Sequence, residues 1–570
     1  MPPTIRRRIL SACVVAVILG AIWGATRLGS LPAADYVVVN NTEVETLDPA
    51  QSQGVPEGRV IWALFEGLCV PDAKDLSPQP GVAERWEISD DGKRYVFHLR
   101  PNAKWSDGTP LTAANIVWSM RRMLHPSTGG QYSYELWYVV NAGRYTKQEL
   151  RAGDAVEIQV LQDGLSAADK QLAVDEPLDT DYDRANAPHA LLRGKLIAIR
   201  GEKLFDIEID GRVRTFDADV NRKPRLGEPA VYVLPDFESV AIRALDERTV
   251  EFRLENPTPY FLEVLAMYPF APVQRACVAK HGHAWIKPGN LVSNGPYVLQ
   301  QRRFRERIRV VKNPHYWDAN NVALETVDFL SVNGQNTALN LYLTGQADWI
   351  EKVPGAVVAD LPRLYPDDYR PAPYITTYFY RINVTNGPLK NKKLRQALNM
   401  AIDKSKICSD ITRGGQTPAR SFVSSVIDDH DPALCGPFDP AAARALLAEA
   451  KRELVTDGLL ASETAPLRLK LQFNTLESHQ AIAETIQIEW LSHLGIEAEL
   501  NSLEWGAYQK NQNDLTYQIS RAGWVGDYKD PMTFLKLFTS DSTQSNTGWK
   551  HPPYDELIAR ASRRGSGRAA

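Results

Sequence analysis

The sequence predicts an α/β protein of several lobes. Its 570 residues correspond, at roughly 150 residues per domain, to about four domains or to two or three large lobes. Near the carboxyl end a predicted strand at 467–473, a helix at 479–494 and a strand at 496–500 follow one another, an order typical of an α/β lobe. Hydrophobic residues make up 44% and charged residues 24% of the chain, as in ordinary soluble globular proteins. This composition excludes a polytopic membrane protein, a fibre and a largely disordered chain.

The charge balance argues against nucleic acid as a partner. The chain has 65 basic and 69 acidic residues, so no basic excess is available to neutralise phosphates. The five cysteines show no Cys-x-x-Cys spacing, which argues against structural zinc and leaves one long-range disulfide open. The histidines at 281 and 283 and the acidic run at 428–431 are weak metal candidates, better explained as surface loops. HExxH, P-loop and GxSxG motifs are absent, so no motif names a reaction, and the sequence predicts no cofactor and no metal site.

The amino terminus is typical of an exported protein. Three arginines at 6–8 precede an apolar run at 9–26, which is the pattern of an export signal or of an uncleaved membrane anchor. Small residues at 32–34 offer a cleavage site. We therefore expect residues 1–34 to direct the protein out of the cytoplasm, in either a cleaved or an anchored form.

Local signals predict several of the helices and strands. Short β-like runs predict strands at 36–39, 95–99 and 379–384, and apolar spacing predicts helices at 59–68, 113–124, 391–402 and 440–454. Thr112 and Asp439 are the expected N-caps of the helices that begin at 113 and 440. Gly495 is the expected end of the helix at 479–494.

Residues 147–236 differ in character from the rest of the chain. They contain β-like runs at 155–160, 195–199 and 204–209, and Asp210 and Gly211 suit a hairpin turn after the third run. A charged, alanine-rich stretch at 163–190 predicts a loose loop. We interpret this region as an inserted β module that elaborates the surface, in preference to a dedicated binding site.

Several short segments with distinctive sequences follow one another along residues 45–530. The segments are ETLDP (45–49), GVPE (54–57), LFEGL (64–68), PGVAERW (80–86), FHLR (97–100), AKWSDGTP (103–110), KPGN (287–290), SNGPY (293–297), NPHYWD (313–318), KLRQAL (393–398) with AID (401–403), EW (504–505) and RAGWVGDY (521–528). Each alone is a weak signal, but together they are specific. The series resembles the peptide-binding solute receptors of bacterial ABC transporters, extracellular solute-binding protein family 5.

The resemblance implies a two-lobed periplasmic-binding-protein fold of class II type. Such receptors carry an extra domain on the first lobe, enclose a ligand when the lobes close about a hinge and catalyse no reaction; this chain adds the inserted β module. The match stops within 562–570, so this end is expected to be truncated relative to the family. The expected divisions are 1–34 for the signal or anchor, 35–84 and 237–375 for the first lobe, 85–146 for the extra domain, 147–236 for the inserted module, 376–526 for the second lobe and 527–570 for the return to the first lobe.

For a peptide ligand the resemblance implies an acid for the amine and free strand for the peptide backbone. Asp527 takes the amine-binding position, with an ordinary turn aspartate as the alternative. Gly523, Trp524 and Val525 would pair with the peptide backbone, as would Val55 from the other lobe. Packing in the core is the alternative for Trp524.

The resemblance also implies a basic site for the peptide carboxylate. Arg521 and His479 fall at carboxylate-binding positions that serve peptides of different length, and a surface histidine at a helix start is the alternative for His479. Arg413 stands near a family lysine, one residue out of register. Gln512 replaces a family arginine, which removes one positive charge and predicts weaker or shifted carboxylate binding.

Further positions are assigned by the same resemblance. Trp505 and Tyr132 are expected to line side-chain pockets, with plain core packing as the alternative. Gln53 replaces a family glutamate near the cleft. A cysteine pair that some relatives carry falls here on Ile375 and Val525, so that disulfide is absent.

The hypothesis from the sequence is an exported receptor that binds short peptides and delivers them to the membrane permease subunits of an ABC transporter. We expect a monomer, in the periplasm or at the outer face of the cytoplasmic membrane. Alternatives with the same fold are a receptor for a nickel chelate, haem or a cell-wall peptide, and a ligand-presenting chemosensory protein. A folding helper, a nonfunctional copy and an extracellular peptidase also stay open. Retention of Asp527 and Arg521 favours peptides over chelates.

Overall fold

The computed structural model describes residues 32–161, 171, 189–201, 203–218, 232–427, 436–542 and 544–564. The strands are β1 (Tyr36–Val39), β2 (Cys69–Pro71), β3 (Pro78–Pro80), β4 (Ala83–Ile88), β5 (Arg94–Leu99), β6 (Ala155–Leu161), β7 (His189–Arg200), β8 (Leu204–Ile209), β9 (Arg212–Asp217), β10 (Tyr232–Pro235), β11 (Ile242–Asp246), β12 (Thr249–Arg253), β13 (Tyr297–Arg303), β14 (Arg307–Lys312), β15 (Thr326–Leu330), β16 (Trp349–Ile350), β17 (Thr376–Ile382), β18 (Arg468–Asn474), β19 (Glu497–Leu503) and β20 (Ile519–Val525). The helices are α1 (Val55–Leu64), α2 (Ala113–Leu124), α3 (Ala142–Lys147), α4 (Phe261–Leu265), α5 (Arg275–His281), α6 (Gln335–Leu343), α7 (Leu361–Leu364), α8 (Lys392–Met400), α9 (Lys404–Lys406), α10 (Pro440–Thr456), α11 (Glu477–Leu494), α12 (Trp505–Asn513), α13 (Met532–Leu535) and α14 (Pro552–Arg564). The predicted α/β class is confirmed.

Some of the sequence predictions concern residues outside the described ranges. The export segment up to residue 31, most of the loop predicted at 163–190 and the acidic run at 428–431 lie outside the described residues. Among the helices that the structure describes, none combines the length and the apolar character needed to cross a membrane.

The first lobe contains a mixed sheet with the order β13-β14-β15-β1-β16. β1 runs parallel to β15 and β16, whereas β13, β14 and β15 pair antiparallel. Helix α1 packs against this sheet and begins at Val55, because Pro56 fits the first turn of a helix. The helix predicted at 59–68 is wrong at both ends. Residues 65–68 are not helical, since the Gly295 amide donates to the Leu64 carbonyl and the Asn294 side chain bonds the backbone of Glu66.

A second, antiparallel sheet has the order β11-β12-β5-β4. Helix α2 packs against it, and its N-cap is the predicted Thr112, which forms a capping box with Asn115. The boundary predicted at residue 237 would assign β11 and β12 to the first lobe. Their pairing instead makes them part of the sheet of the extra domain, together with β4 and β5.

The inserted region forms a third sheet, with the antiparallel order β10-β6-β7-β8-β9 and an apolar core of its own. The predicted hairpin at Asp210 and Gly211 is confirmed, and both residues have positive φ. A buried ion pair of 2.8 Å between Arg121 Nη2 on α2 and Glu157 Oε2 on β6 docks the sheet on the extra domain. The Tyr145 hydroxyl donates to the other carboxylate oxygen of Glu157 at 2.7 Å. The module is thus fixed to its neighbour by satisfied polar contacts.

The second lobe is built on a sheet with the order β17-β20-β18-β19. β18, α11 and β19 form the predicted strand–helix–strand unit, in which β18 and β19 are parallel. Asp439 caps α10 by accepting from the amides of residues 441 and 442, and Gly495 ends α11 with a φ of 64°. Both capping predictions are confirmed.

After β20 the chain returns to the first half of the molecule. Phe534, Leu537 and Ile558 join a core that also contains Phe261 of α4 and Phe97 of β5. This return fixes the residues that follow β20 against the extra domain.

Candidate ligand-binding cleft

Strand β20 has one open edge along its second half. β17 pairs with all of β20, but β18 pairs with it only at Ile519 and Ser520. The amide of residue 526 donates to the carbonyl of residue 375 and that of residue 383 donates to the carbonyl of residue 518. By the alternation of an antiparallel ladder, the backbone polar groups of Gly523 and Val525 therefore face away from β17. This edge is suited to the addition of a peptide strand.

Asp527 lies just beyond this open edge. Its Oδ2 atom is inaccessible to solvent and has no hydrogen-bond partner within the described residues. Its backbone amide donates to Thr533 Oγ1 at 2.9 Å. Burial raises the pKa of the Asp527 carboxyl well above its ordinary value of 3.8, and the nearby Glu135 carboxylate adds to the rise, whereas the Thr533 hydroxyl opposes it. A turn aspartate at the surface would be hydrated, whereas this oxygen is not. A bound cation would supply the partner that it lacks.

Tyrosines from the first half of the molecule face Asp527. Tyr132 is buried, lies edge-on to Tyr268 at 6.3 Å between ring centroids and stacks on Tyr134. Burial raises the pKa of the Tyr132 hydroxyl, and the Asp527 carboxylate is among the charges that add to the rise. The Tyr268 hydroxyl donates to the Gly54 carbonyl at 3.2 Å. Tyr132 therefore forms an aromatic wall beside the carboxyl.

Arg521 and His479 meet around one ring, that of Tyr378. The Arg521 guanidinium lies 4.8 Å from the Tyr378 ring centroid, and His479 Nδ1 lies 3.4 Å from the Tyr378 hydroxyl. His479 is 4% exposed, so the surface alternative is wrong. Burial lowers the pKa of His479 well below its usual value of 6.5, and the charges of Arg521 and Lys352 lower it further. The imidazole is thus neutral at neutral pH in the empty protein.

Arg521 has no anionic partner within the described residues. Nη1 contacts the Asn474 side-chain oxygen at 3.3 Å, and Nε is buried without a hydrogen-bond partner. No carboxylate lies within ion-pairing distance of the guanidinium in that part of the chain. The side chain is therefore positioned to bind an anion from outside the protein.

Lys352 is a charged group of this cleft that reasoning from the sequence missed. It follows β16 in the first lobe and acts electrostatically on His479 of the second lobe. Burial lowers the pKa of Lys352; the neighbouring Glu351 opposes this shift, and Arg521 and Arg59 add to it. No local motif marks this lysine, because its importance arises only where the two lobes meet.

A positive charge is present beside Gln512 although the family arginine is replaced there. Its Oε1 atom accepts a hydrogen bond of 2.6 Å from Arg381 Nη1, and its amide nitrogen donates to the Arg521 carbonyl at 3.0 Å. Arg381 is buried, also donates to the Gln544 carbonyl, and forms no ion pair within the described residues. The charge expected to be lost at Gln512 is thus supplied by Arg381.

The two lobes touch beside the open strand edge. A Cβ atom built on Gly54 would lie 3.4 Å from the Trp505 ring, and one built on Gly506 would lie 2.7 Å from Glu45 Oε1. Val55 begins α1 at this junction, and Trp505 begins α12 with a buried indole nitrogen for which the described part of the chain offers no partner. Both therefore lie at the cleft, where Trp505 offers an unused donor.

Two predicted site residues lie away from the groups above. The Trp524 ring is buried in the core and its Nε1 donates to the Thr533 carbonyl at 2.8 Å, which agrees with the core alternative. Arg413 is exposed after a π-helix (Ile407–Thr412) and lines a separate surface pocket with Ser409 and Gln416.

The described residues contain no cluster of three or more His, Cys, Asp or Glu side chains that could hold a metal ion. In the same part of the chain Cys69, Cys277 and Cys408 are free. The long-range disulfide left open by the sequence therefore does not join any two of these three.

Comparison with known proteins assigns the family. The model of the bacterial extracellular solute-binding proteins, family 5 Middle, matches residues 77–546. The chain belongs to this family. The periplasmic murein peptide-binding protein MppA of Escherichia coli is 32% identical over 520 residues, which cover 91% of this chain and 80% of MppA. The periplasmic oligopeptide-binding protein OppA of Salmonella typhimurium is 30% identical over 522 residues, with the same coverage of 91% and 80%. The family consists of binding proteins.

Two MppA structures bear on the arrangement of the lobes in this family 5 protein. The structure of the E. coli murein tripeptide binding protein MppA matches with a TM-score of 0.72 at 30% identity, over 94% of this chain and 87% of that one. The unliganded open form of MppA matches with a TM-score of only 0.51 at the same identity, over 93% and 85%. The predicted two-lobed fold is confirmed, and the lobes of this chain are not arranged as in that open form.

Proposed function

We propose that this protein binds short peptides between its lobes and delivers them to the permease subunits of an ABC transporter. The observation that carries the proposal is a free strand edge with an unpaired carboxyl at one end and an unpaired guanidinium at the other. The free edge runs from Arg521 to Val525 on β20, about 13 Å in an extended strand, which is long enough to pair with a peptide of about four residues. Asp527 follows two residues beyond this edge.

Each site residue has a role in this proposal. Asp527 accepts hydrogen bonds from the peptide amine, and Arg521 binds the carboxylate, with neutral His479 as a further hydrogen-bonding group. The backbone of Gly523 and Val525 pairs with the peptide, while Val55 approaches from the first lobe. Tyr132 and Trp505 line side-chain pockets. Trp524 supports the strand from the core, and Arg413 takes no part.

The place of action follows from the family and from the amino-terminal segment. The relatives described above are periplasmic binding proteins by name. Together with the export pattern at 1–34, this supports a location in the periplasm or at the outer face of the cytoplasmic membrane. The protein acts there as a monomer that meets the permease with its ligand enclosed.

Mass spectrometry of the small molecules released by denaturing the purified protein tests the ligand class. We expect a mixture of short peptides from the wild-type protein. The Asp527→Asn variant, purified in the same way, should release far less, because its amide cannot neutralise an ammonium group. One defined non-peptide species in the wild-type sample would overturn the proposal in favour of another solute.

A further inference from the structure

The carboxylate end of the cleft carries more positive charge than one peptide carboxylate can neutralise. Lys352, Arg381 and Arg521 come from separate elements, and none of them forms an ion pair within the described part of the chain. Arg381 and Arg521 act on each other electrostatically, as do Arg521 and Lys352. Their hydrogen-bond acceptors are amides and carbonyls, as for Arg381 on Gln512 and Gln544.

The acid that precedes Lys352 in the chain, Glu351, is shared with Arg59. Glu351 Oε2 accepts hydrogen bonds from Arg59 Nη2 at 2.8 Å and from Asn41 Nδ2 at 2.6 Å. Glu351 also acts electrostatically on Lys352, so one carboxylate faces two cations and one positive charge is left unbalanced. Because Arg59 lies in α1, which begins where Gly54 meets Trp505, these contacts hold residue 351, and with it Lys352, near the junction of the lobes. Within the described residues, Lys352 makes no hydrogen bond or ion pair.

Unpaired cations held close together in a partly buried site destabilise one another, and an anion relieves this repulsion. A peptide with one carboxylate supplies one negative charge. A peptide with an acidic side chain at or next to its carboxyl terminus supplies two, one for Arg521 of the second lobe and one for Lys352 of the first.

We propose that Lys352 makes this receptor selective for peptides that carry a second carboxylate at or next to the carboxyl terminus. This selectivity rests on the proposed function, since it assumes a peptide bound with its carboxylate at Arg521. Lys352 is then a specificity residue that links the ligand to the first lobe, because a dicarboxylate bridges the two lobes where a neutral side chain cannot.

Calorimetric titration with matched tetrapeptides tests the proposal. The probes are Ala-Ala-Ala-Glu against Ala-Ala-Ala-Gln, and Ala-Ala-Glu-Ala against Ala-Ala-Gln-Ala, so that each pair differs by one charge. Ligand-stripped wild-type protein should bind the better glutamate peptide roughly tenfold or more tightly than its glutamine partner, the effect of a charge-assisted hydrogen bond. In Lys352→Gln the two affinities should become equal within about twofold, chiefly through loss of affinity for the glutamate peptide.

Three variants keep the test decisive. Lys352→Arg keeps the charge and should keep most of the selectivity, which guards against a folding defect in Lys352→Gln. Lys390 is exposed, so Lys390→Gln is a control that should leave the selectivity unchanged. Equal binding of both peptides by the wild type, or selectivity that survives in Lys352→Gln, overturns the proposal. Failure of every peptide to bind would instead overturn the proposed function itself.

Discussion

The Asp527 carboxyl carries a cost to stability that a bound amine would relieve. Its Oδ2 atom is buried without a hydrogen-bond partner within the described residues, and the Glu135 carboxylate acts on it electrostatically. Below its ordinary pKa of 3.8 the group is protonated in both the folded and the unfolded state and does not affect stability. As the pH rises through the interval between that value and the raised pKa of the folded state, only the folded state retains the proton, so stability falls.

We therefore expect Asp527→Asn to raise the free energy of unfolding of the empty protein at neutral pH by about 1 kcal/mol or more. The gain should shrink as the pH falls and disappear below about pH 3, where the wild-type carboxyl is protonated in both states. The same variant should lose about 2–5 kcal/mol of peptide affinity. Thermal melting of ligand-free protein across this pH range checks the first part. A variant that is less stable than the wild type at neutral pH would contradict the buried, unpaired state of this carboxyl.

Arg521 and His479 should differ sharply in their contribution to binding, although they share Tyr378. The guanidinium is charged and has an unused donor, whereas the imidazole is neutral. Arg521→Met should weaken binding of a free peptide carboxylate by about 2 kcal/mol or more, and His479→Gln by less than about 1 kcal/mol.

The matched ligands for these variants are a tetrapeptide and its carboxyl-terminal amide. Amidation should reduce the affinity of the wild type and of His479→Gln but have little further effect in Arg521→Met. Equal losses in the two variants would indicate that the histidine is charged in the complex and would contradict this division of roles.

At the scale of the elements, the open edge of β20 predicts how a peptide backbone is bound. Gly523 and Val525 present their polar groups on the side away from β17, whereas those of Trp524 are used in the ladder. A peptide that adds to this edge pairs through every second residue.

N-methylation of single amides along Ala-Ala-Ala-Ala should therefore reduce affinity with a period of two. Methylation of a pairing amide should cost about 1 kcal/mol or more, and methylation of its neighbours much less. Titration of the set of singly methylated peptides measures the pattern without altering the protein. A uniform effect along the peptide would argue against strand addition.

Sequence reasoning predicted best the elements whose signals are local. Thr112, Asp439 and Gly495 mark helix ends through contacts within a few residues, and all three helices have the predicted caps. The pairing of β5 with β12 joins residues separated by more than 140 positions, and no local pattern encodes it. The division of the chain at 237 failed for this reason.

The residues of the candidate site also differ in whether a local motif marks them. Asp527 and Arg521 lie in a distinctive segment and were found from it, whereas Lys352 lies in no motif. The replacement of a family arginine by Gln512 indicated a lost charge. The compensating Arg381 lies on another strand, so the sequence around Gln512 could not reveal it. Charge compensation between elements depends on the fold and cannot be read along the chain.

The whole molecule has its lobes in contact beside the cleft. Asn336 Nδ2 of the first lobe donates to Glu477 Oε2 of the second at 2.8 Å, and Gly54 and Gly506 allow close approach at the junction. The weaker match to the unliganded open form of MppA agrees with this arrangement. A ligand held by both lobes would favour such a closed state over an open one.

For the whole molecule, we expect a free peptide amine to bind Asp527 between the lobes. Calorimetric titration of ligand-stripped protein with Ala-Ala-Ala-Ala and with its N-acetyl derivative tests it most directly, since acetylation removes the positive charge and changes little else. We expect the wild type to prefer the free peptide by at least about 2 kcal/mol and the Asp527→Asn variant to bind both peptides with similarly low affinity. Equal affinity of the wild type for the two peptides would contradict the account.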